Sequence, residues 1–587
     1  MSSSETWLQH WPRALELWGR YIKLKDPRLT RQKKIPGKNS ATPLAYIDLQ
    51  NKQVVVGLDQ VEKLGLQDFQ LEILAHEIGH HVFAPGDLLD AGRCMARIHR
   101  ALREYSGESG LILNLYTDLL INNRLKSMGL AMDQIYIQLN RQTEKMDPLW
   151  KLYMRIYELL WSLSPGTLCP DQDPEMEGDA TVAAQVIRSF ANDVVRGSGM
   201  FAAICYYYLK SDGTVATRKI MKPLLDSEHI TAEDSIPDGL VEMQEGEEDE
   251  CSYPDFDESG NWTPPGEAKG DADGTGIPSE SSNESRSGGQ SRIPLDYFNV
   301  LKAMGVKVSE QEATNRFYRE KARPYLIPFP VSENEPSTEP LLEGYEIWHP
   351  GQMIERINWF QTLLRSPVVI PGYTTVQNRY GNAEGQSKDE SPIDLDIYVD
   401  CSGSMPRPSI SLSYPALAGT IIALSALRTG SAVQATLWSG PHQVQKTEGF
   451  VRDEAQILSV LTGYIGGGTA FPLHILRKTY LEEPRPRRKV HILVISDDGV
   501  DTILQNDEIG NAGRDIARRS LDVAGAGGTF ALQLYGGWEK NPRLVETNKL
   551  GFKIHPVSSA VELTEFARRF VQENYRNDGK SKQRRRI

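Results

Sequence analysis

The feature that most constrains this chain is a long polar segment near its middle, residues 226–292, in which aliphatic side chains are scarce. Between Pro223 and Ala268 there are 15 acidic residues and no Lys or Arg, and the stretch after Ala268 is rich in Gly, Ser and Asp. Such a composition cannot bury enough apolar surface to offset the entropy of ordering the chain. We therefore predict a disordered acidic linker over 226–292, with a folded region on either side.

Length and charge agree with this division. A chain of 587 residues exceeds one hydrophobic core, because domains typically hold roughly 100 to 200 residues. The net charge of −13 comes from 65 basic and 78 acidic residues, so the acidic linker accounts for the whole imbalance. A short basic tail lies at 579–587. A solvated end is its favoured interpretation, ahead of contact with nucleic acid, acidic lipid or the acidic linker.

The composition also bears on location. The sequence has no apolar run approaching the roughly 18 to 20 residues that span a bilayer, and its start does not resemble a signal peptide. The five cysteines are scattered and never form a CxxC pair, which argues against a disulfide framework and against a cysteine zinc site. We therefore expect a cytoplasmic protein without membrane insertion.

The N-terminal region, residues 1–225, is predicted to be helix-rich. Four segments repeat apolar residues at spacings of three and four: LQHWPRALELWGRYIKL, FQLEILAHEIGHHVF, GLILNLYTDLLINNRL and PLWKLYMRIYELLWSL. Two strand-like runs, PLAYIDL and KQVVVGL, flank a polar Gln50-Asn51 turn and predict a small β-hairpin. This region is expected to be of the α+β class.

The C-terminal region is predicted in two parts. Residues 293–386 contain helical pieces and form a connecting subdomain packed against the domain at 387–578. Residues 387–578 alternate apolar strands, such as DLDIYVD and KVHILVIS, with helices such as YPALAGTIIALSAL. That alternation predicts an α/β domain with a doubly wound, Rossmann-like parallel sheet. The whole chain is therefore expected to be multidomain.

The motif LAHEIGHH predicts a zinc site. It places His76 and His80 four residues apart on one helical face, a spacing that suits two ligands of one tetrahedral ion. Glu77 is then positioned to act as a general base on water at the metal. His81 points about 100 degrees away around the helix and is expected to be an ordinary surface or core residue. A buried polar cluster or a purely structural metal site are the alternatives.

A third ligand is expected about forty residues further on. In LNLYTDLLINNRL, the polar residues Asn114, Asp118 and Asn122 share one helical face beside several leucines. Buried polar groups are costly unless something binds them, so Asp118 is predicted to ligate the metal with amide support from its neighbours. His99, Glu104 and Glu108 remain rival ligands.

The two motifs together resemble the metallopeptidase-like domains that bacteria fuse to von Willebrand factor A (VWA) domains. That resemblance covers about residues 45–125 and implies a zincin-like architecture with peptide hydrolysis as the inferred activity. The positions that match are His76, Glu77, His80, Asn114, Asp118, Ile121 and Asn122.

A second metal site is predicted at the ends of two apolar strands. The strand DLDIYVD runs into a small-residue loop, GYIGGGTAF provides a threonine, and KVHILVIS ends in two aspartates. Ligands bind at the carboxyl ends of parallel strands, and carboxylate and hydroxyl oxygens suit octahedral Mg²⁺ with a position left for water or a partner's carboxylate. The candidate donors are Asp400, Ser402, Ser404, Thr469 and Asp497, with Asp498 as the alternative to Asp497.

This pattern of DxSxS, a later Thr and a later Asp resembles the metal-ion-dependent adhesion site of VWA domains, and it spans about 190 residues. One departure is Asp498, where the family usually has Gly. A hydrolase nucleophile at Ser402 or Ser404, or a reactive thiol at Cys401, are weaker interpretations, because no histidine accompanies the serines in the local pattern.

The resemblance implies a function. It predicts a zinc-dependent metallopeptidase with a VWA docking domain that works with a MoxR-like AAA+ ATPase on a protein client. The sequence contains no G-x-x-x-x-G-K-[ST] loop, so the ATPase would be another polypeptide. The alternative is a non-catalytic VWA adaptor, or a chelatase-like assembly factor, with a structural zinc site. Nucleic-acid binding through the basic tail is a third, weaker hypothesis.

Overall fold

The computed structural model describes most of the chain, with gaps. The described residues are 3–31, 44–48, 53–141, 146–170, 173–209, 217, 236–244, 247, 251–254, 256, 291–326, 341–381, 392–497, 499–534, 537–557 and 559–575. They divide into two compact units. One unit comprises Met1–Lys321 and Pro406–Ser413, and the other comprises Ala322–Met405 and Tyr414–Ile587.

The N-terminal unit is mostly helical, as its apolar periodicity predicts. Its helices are α1 (Ser3–Trp18), α2 (Leu58–Lys63), α3 (Gln70–Val82), α4 (Leu88–Leu102), α5 (Ser109–Ser127), α6 (Met132–Arg141), α7 (Pro148–Leu160), α8 (Pro174–Ser189), α9 (Val194–Leu209), α10 (Pro294–Ala303) and α11 (Glu310–Ala322). Helix α5 is buried on nearly every face, since α3, α4, α7 and α9 all pack around it. Polar groups on α5 therefore need partners from neighbouring helices.

A small sheet accompanies these helices. Its strands are β1 (Lys25–Thr30), β2 (Ala45–Asp48) and β3 (Gln53–Gly57), in the order β1-β3-β2. Strands β2 and β3 pair antiparallel, which confirms the predicted hairpin, and β1 adds a parallel strand that periodicity did not predict. The polar run KDPRLT of β1 has only one buried residue, so its sequence carries no apolar alternation to detect.

Part of the predicted acidic linker is packed, which differs from the expectation of disorder over 226–292. In the described stretch 236–244, the side chains of Ile236, Leu240 and Val241 are buried. Glu247 is buried in an ion pair with Arg292. Clustered acidic residues are costly to order when solvated, but here basic side chains supply the compensating charge. The described residues of 226–292 also include 251–254, 256 and 291, whereas the remainder of this segment and the basic tail 579–587 lie outside the described residues.

The predicted boundary at residue 293 also differs from the structure. Helices α10 and α11, which fall within the predicted connecting subdomain, belong to the N-terminal unit. The physical reason is again charge: Asp296 on α10 receives hydrogen bonds from Arg100 of α4 and from Arg292. Only the later part of 293–386 belongs to the C-terminal unit.

The C-terminal unit contains a six-stranded sheet in the order β11-β10-β9-β6-β7-β8. Strands β11, β10, β9, β6 and β7 run parallel to one another, whereas β8 pairs antiparallel with β7, so the sheet is mixed and departs from the predicted parallel arrangement at this edge. These strands are β6 (Asp394–Asp400), β7 (Val433–Trp438), β8 (Val444–Lys446), β9 (Val490–Ser496), β10 (Gly525–Gln533) and β11 (Phe552–Val557).

The sequence did not predict the two edge strands, β8 and β11, and the reason is physical. Strand β8 is only three residues long, and β11 carries Pro556, which cannot donate to a strand ladder and is tolerated at an edge. The central strands β6 and β9 are buried along almost their whole length, as is usual where both faces of a parallel sheet are covered.

The remaining elements of this unit are a second, two-stranded sheet and several helices. The antiparallel pair is β4 (Leu341–Ile347) with β5 (Val376–Gly381). The helices are α12 (Trp359–Arg365), α13 (Tyr414–Arg428), α14 (Glu454–Leu461), α15 (Leu473–Arg477), α16 (Gly513–Ala524), α17 (Pro542–Lys549) and α18 (Ala560–Tyr575). Among the described helices, none has the length and apolar character to cross a bilayer.

Candidate metal centres

The first candidate centre begins with helix α3. Its apolar residues Ile73, Leu74 and Ile78 face the core, and the same helical period places His76 and His80 one turn apart. The two imidazoles therefore leave the helix on one face, and their Nε2 atoms lie 3.2 Å from each other.

Close packing of α3 on α5 brings a carboxylate to these imidazoles. At Gly79, a Cβ atom would lie 2.6 Å from Ile121 Cγ2 and 2.7 Å from Trp18 Cζ2, so only glycine allows this approach. On α5, Asp118 then faces the histidines. Its Oδ1 atom lies 3.5 Å from His76 Nε2 and 3.4 Å from His80 Nε2.

The three donor atoms fit a zinc ion. Tetrahedral zinc with ligands at about 2.0 to 2.1 Å has ligand-to-ligand separations of about 3.3 Å. The separations of 3.2, 3.4 and 3.5 Å among His76, His80 and Asp118 match this edge length. In the part of the chain that the structure describes, Asp118 Oδ1 is buried and accepts no hydrogen bond, which is costly unless a cation binds it.

Surrounding groups fix the orientation of each donor. His80 Nδ1 lies 3.1 Å from the Ala84 carbonyl oxygen, and His76 Nδ1 lies 2.7 Å from Asn122 Oδ1. Both partners are acceptors, so each Nδ1 carries the proton and each Nε2 presents its lone pair to the cluster. Asn114 Nδ2 donates to Asp118 Oδ2 at 3.3 Å, which leaves Oδ1 facing the imidazoles.

Sequence reasoning missed the tyrosines behind Asn122. The hydroxyl groups of Tyr136, Tyr153 and Tyr157 lie 2.9 to 3.2 Å apart, and Asn122 Nδ2 donates to Tyr136 and Tyr157 at 2.9 and 2.8 Å. Burial raises the pKa of Tyr153 and Tyr157 well above the ordinary value, so these hydroxyls stay neutral. The i, i+4 spacing of Tyr153 and Tyr157 on α7 was the available signal.

A small, mostly apolar pocket lies beside the cluster, and Glu77 lines it together with His76 and Asp118. Leu44 and Ala45, where strand β2 begins, also line the pocket. Strand β2 is one edge of the described three-stranded sheet. The pocket therefore combines a buried carboxylate, the donor cluster and a strand edge.

The rival ligands do not join this cluster. The group of donor atoms within 4.8 Å of one another comprises His76, His80 and Asp118 among the described residues. Glu104 instead accepts a hydrogen bond from the Tyr206 hydroxyl group. His99, Glu108 and His81 likewise lie outside the group.

The second candidate centre lies where β6 and β9 end. Ser402 N donates to Asp400 Oδ1 at 2.8 Å, which folds the loop back over the strand end. Ser402 Oγ lies 3.1 Å from Ser404 Oγ, and Ser404 Oγ donates to Asp497 Oδ2 at 2.6 Å. The structure thus brings together two hydroxyl groups and a carboxylate from distant parts of the sequence.

The side chain of Asp400 is buried at the end of β6. Its Oδ2 atom accepts a hydrogen bond from Ser496 Oγ at 2.5 Å, a contact that the sequence pattern did not predict. Burial raises the pKa of Asp400, while the hydrogen bonds from Ser496 and Ser402 act in the opposite direction. Donors of this type, carboxylate and hydroxyl oxygens, fit Mg²⁺.

Backbone hydrogen bonds place the glycine-rich loop beside this site. Gly403 N donates to the Gly467 carbonyl oxygen at 2.9 Å, and Gly466 N donates to the Cys401 carbonyl oxygen at 3.1 Å. Gly467 has φ +109°, a conformation that favours glycine. Thr469 is half-buried on this loop, two residues beyond Gly467.

Two alternatives raised by the sequence have different outcomes. Asp498 lies outside the described residues, whereas Asp497 contacts Ser404. Cys401 is buried, and burial raises the pKa of its thiol, which disfavours the reactive thiolate.

Comparison with known proteins does not identify a family for this chain. No protein-family model matches the sequence, and no curated protein matches it closely enough to count as a relative. Among solved structures, the chain is similar to an aerotolerance-related membrane protein from Bacteroides fragilis with multiple mutations to serines, at 14% identity and a TM-score of 0.21. That match covers 31% of this chain and 99% of the other.

A second similar structure is the conserved hypothetical protein BatB from Bacteroides thetaiotaomicron, at 13% identity and a TM-score of 0.21. It covers 31% of this chain and 98% of the other. At these TM-scores, neither likeness carries an argument about the fold or the function of this chain.

Proposed function

We propose that this protein is a zinc-dependent metallopeptidase of zincin-like architecture, joined to a VWA domain that docks a partner through Mg²⁺. The partner in this proposal is a MoxR-like AAA+ ATPase supplied by another polypeptide, and the substrate is a protein client. The observation that carries the proposal is the donor triangle of His76, His80 and Asp118, with edges of 3.2 to 3.5 Å.

In this proposal, the chain's own residues hold the metal and supply the general base. His76, His80 and Asp118 would hold the zinc ion, which when bound supplies Lewis acidity for attack on a carbonyl group. Glu77 is only 3% exposed and lines the same pocket, so its carboxylate can take a proton from attacking water and deliver it to the leaving amine.

The pocket suits an extended peptide. An edge strand presents backbone donors and acceptors that can pair with a peptide in an extended conformation, and β2 begins at the pocket wall. The apolar side chains of Leu44, Ile73 and Leu139 would favour an apolar substrate residue next to the cleaved bond.

The second site supports the docking part of the proposal. Asp400, Ser402, Ser404, Thr469 and Asp497 would hold Mg²⁺ at the carboxyl edge of the large sheet. If all five groups bound an octahedral ion, one position would be left for an outside ligand. A carboxylate of the partner would occupy that position, which would make docking dependent on Mg²⁺.

Glu77→Gln tests the enzymatic part. We expect the variant to retain one zinc ion per chain but to lose peptide hydrolysis by at least about 100-fold, because removal of a general base typically costs 10²- to 10⁴-fold. Zinc content would be measured by mass spectrometry, and cleavage would be measured on a quenched fluorescent peptide library. Glu16→Gln is the control, because Glu16 is exposed on α1 and does not line the pocket, so the variant should retain activity.

Full activity in Glu77→Gln would overturn the enzymatic proposal and favour the adaptor or chelatase-like alternative with a structural zinc site. One observation favours that alternative: the side chains of His80 and Asp118 are 6% and 5% exposed, which is the enclosure expected of a structural site. Affinity purification of Glu77→Gln should also retain the client and the ATPase if the enzymatic proposal is correct.

A further inference from the structure

The segment between β4 and β5 exposes an unusual amount of apolar surface. Residues 348–375 form a long excursion of the β4–β5 hairpin, and α12 lies within it. Ten apolar side chains of this excursion are exposed, on average by about 60% of their surface: Met353, Ile354, Trp359, Phe360, Leu363, Leu364, Val368, Val369, Ile370 and Tyr373. We name this set the hairpin patch.

Helix α12 buries a polar residue and exposes its apolar residues, which is the reverse of an ordinary surface helix. Its buried position is Thr362, whose Oγ1 atom accepts a hydrogen bond from Val376 N at 3.1 Å. Its apolar residues, Trp359, Phe360, Leu363 and Leu364, lie on one side and face outward. A helix that turns its apolar side away from its own sheet is suited to contact with another surface.

The β4–β5 pair provides little interior to explain this arrangement. Around it, Trp348, Ile357 and Val376 are the buried apolar residues of the described stretch 341–381. An isolated two-stranded sheet is marginally stable, and three or more strands or a covering layer are normally required. The hairpin is therefore expected to gain stability when its exposed side is covered.

The size of the hairpin patch matches a protein interface. Fully exposed aromatic side chains present roughly 150 to 250 Å² each, and the seven aliphatic side chains present less, so at this exposure the ten together present on the order of 1,000 Å². Monomers rarely expose contiguous apolar patches above a few hundred Å², whereas a stable protein interface uses about 800 Å² per partner. The area is thus what one side of a stable dimer needs.

We propose that the hairpin patch is the self-association surface of this protein and that its occupant is the same patch of a second copy. Charge supports this choice. The charged residues of 341–381 are three acidic and three basic, all exposed: Glu343, Glu346, Glu355, Arg356, Arg365 and Arg379. A surface with balanced charge can meet itself around a twofold axis without like-charge excess.

The same balance argues against a lipid surface. Binding to an anionic membrane is favoured by an excess of basic residues around an apolar patch, and the patch has no such excess. In addition, β4 is an edge of its described sheet, whereas the outer side of β5 is partly paired with Ile357 and Asn358, and an edge strand can pair across a twofold axis. Self-association is therefore the occupant that these observations favour.

Sedimentation velocity of the full-length chain tests the proposal, from about 0.1 to 50 micromolar. We expect a concentration-dependent dimer, and we expect Leu364→Asp and Phe360→Asp each to raise its dissociation constant at least about 100-fold, because a buried apolar anchor would become a charge. Ile509→Asp is the matched control, since Ile509 and Leu364 are both 66% exposed and Ile509 lies outside the hairpin patch.

The control should leave the dimer unchanged. A chain that stays monomeric throughout the range, or a dimer that persists in both patch variants, would overturn the proposal. Cosedimentation of a monomeric wild type with phosphatidylcholine–phosphatidylglycerol vesicles, lost in Leu364→Asp, would assign the patch to lipid instead. Unchanged zinc content and circular dichroism would show that the variants fold.

Discussion

The two candidate metal centres differ in their donor atoms and in the groups that orient those donors. In the N-terminal centre the donors are two imidazoles and a carboxylate from two packed helices, and side chains orient them: Asn122 contacts His76, and Asn114 contacts Asp118. In the C-terminal centre the donors are hydroxyl groups and carboxylates on loops after strands, and backbone hydrogen bonds such as that from Gly403 to Gly467 fix the loops.

This difference indicates different roles. Nitrogen donors in a buried triangle suit zinc, which binds tightly in a fixed geometry, whereas oxygen donors at a sheet edge suit Mg²⁺, which keeps exchangeable positions. In the proposed function, the helical centre carries the hydrolytic chemistry and the loop centre makes reversible contact with a partner. If this contrast is correct, the two centres should bind their metals independently and respond to different substitutions.

The largest expected effect is the separate loss of each metal. His76→Ala removes one of three zinc donors and should weaken zinc binding at least about 1,000-fold while leaving Mg²⁺ binding intact. Asp400→Ala should do the reverse. Metal content after dialysis, together with calorimetric titration of each ion, measures both. His81→Ala is the control on the same helix, and loss of both metals in one variant would show that the centres are coupled.

A second expectation concerns the side chains that orient His76. Asn122→Ala removes the hydrogen bond to His76 Nδ1 and one of the hydrogen bonds to each of the Tyr136 and Tyr157 hydroxyl groups. Zinc affinity should fall by about 10- to 100-fold, as for other residues that orient metal ligands. Competition with a chromogenic chelator measures it. Asn123→Ala, the adjacent residue on α5, should bind zinc normally; an equal loss there would implicate helix stability instead.

A third expectation concerns helix packing. Gly79→Ala places a Cβ atom 2.6 Å from Ile121 Cγ2, so α3 and α5 must separate. The free energy of unfolding should fall by about 1 to 3 kcal/mol, the usual cost of overpacking, and zinc affinity should fall with it. Chemical denaturation measures the first quantity. Gly110→Ala meets nothing within 4 Å on α5 and should be neutral or slightly stabilising.

The last expectation concerns the pH dependence of stability, where the effect is smallest near neutral pH. His491 in β9 is buried, with Nδ1 3.0 Å from the Ala526 carbonyl oxygen and Nε2 3.0 Å from Thr529 Oγ1, and burial lowers its pKa to about 4. Since the pKa in an unfolded chain is about 6.5, the unfolded state binds this proton first as the pH falls. Stability of the C-terminal unit is therefore lost from about pH 6.5 down to pH 4, by up to about 3 kcal/mol.

His491→Gln should remove that loss. Asp396 is also buried, and its pKa is raised to about 6, so it acts with the opposite sign: its contribution grows as the pH falls from about 6 towards 4. The quantity to measure is therefore the difference in unfolding free energy between wild type and variant at each pH. A difference that does not change between pH 7 and pH 4.5 would contradict the assignment.

The sequence predicted local structure well where periodicity was strong. The helices that contain His76 and Asp118, the β2–β3 hairpin and the central strands of the large sheet each follow from apolar spacing within one segment. It failed for β1, β8 and β11, which are short, polar or proline-containing edge strands. It also failed for residues 236–244, whose packing depends on partners distant in sequence.

The sequence by itself determined the kinds of donor and their spacing, because one helical turn or one strand end is fixed by backbone geometry alone. Only the tertiary structure decided that Asp118, rather than His99, Glu104 or Glu108, meets the imidazoles. It also brought Tyr136, Tyr153 and Tyr157 behind Asn122. The reason is physical: contacts between distant segments depend on how closely their helices pack, and at Gly79 that closeness is set by atoms 42 residues away, at Ile121.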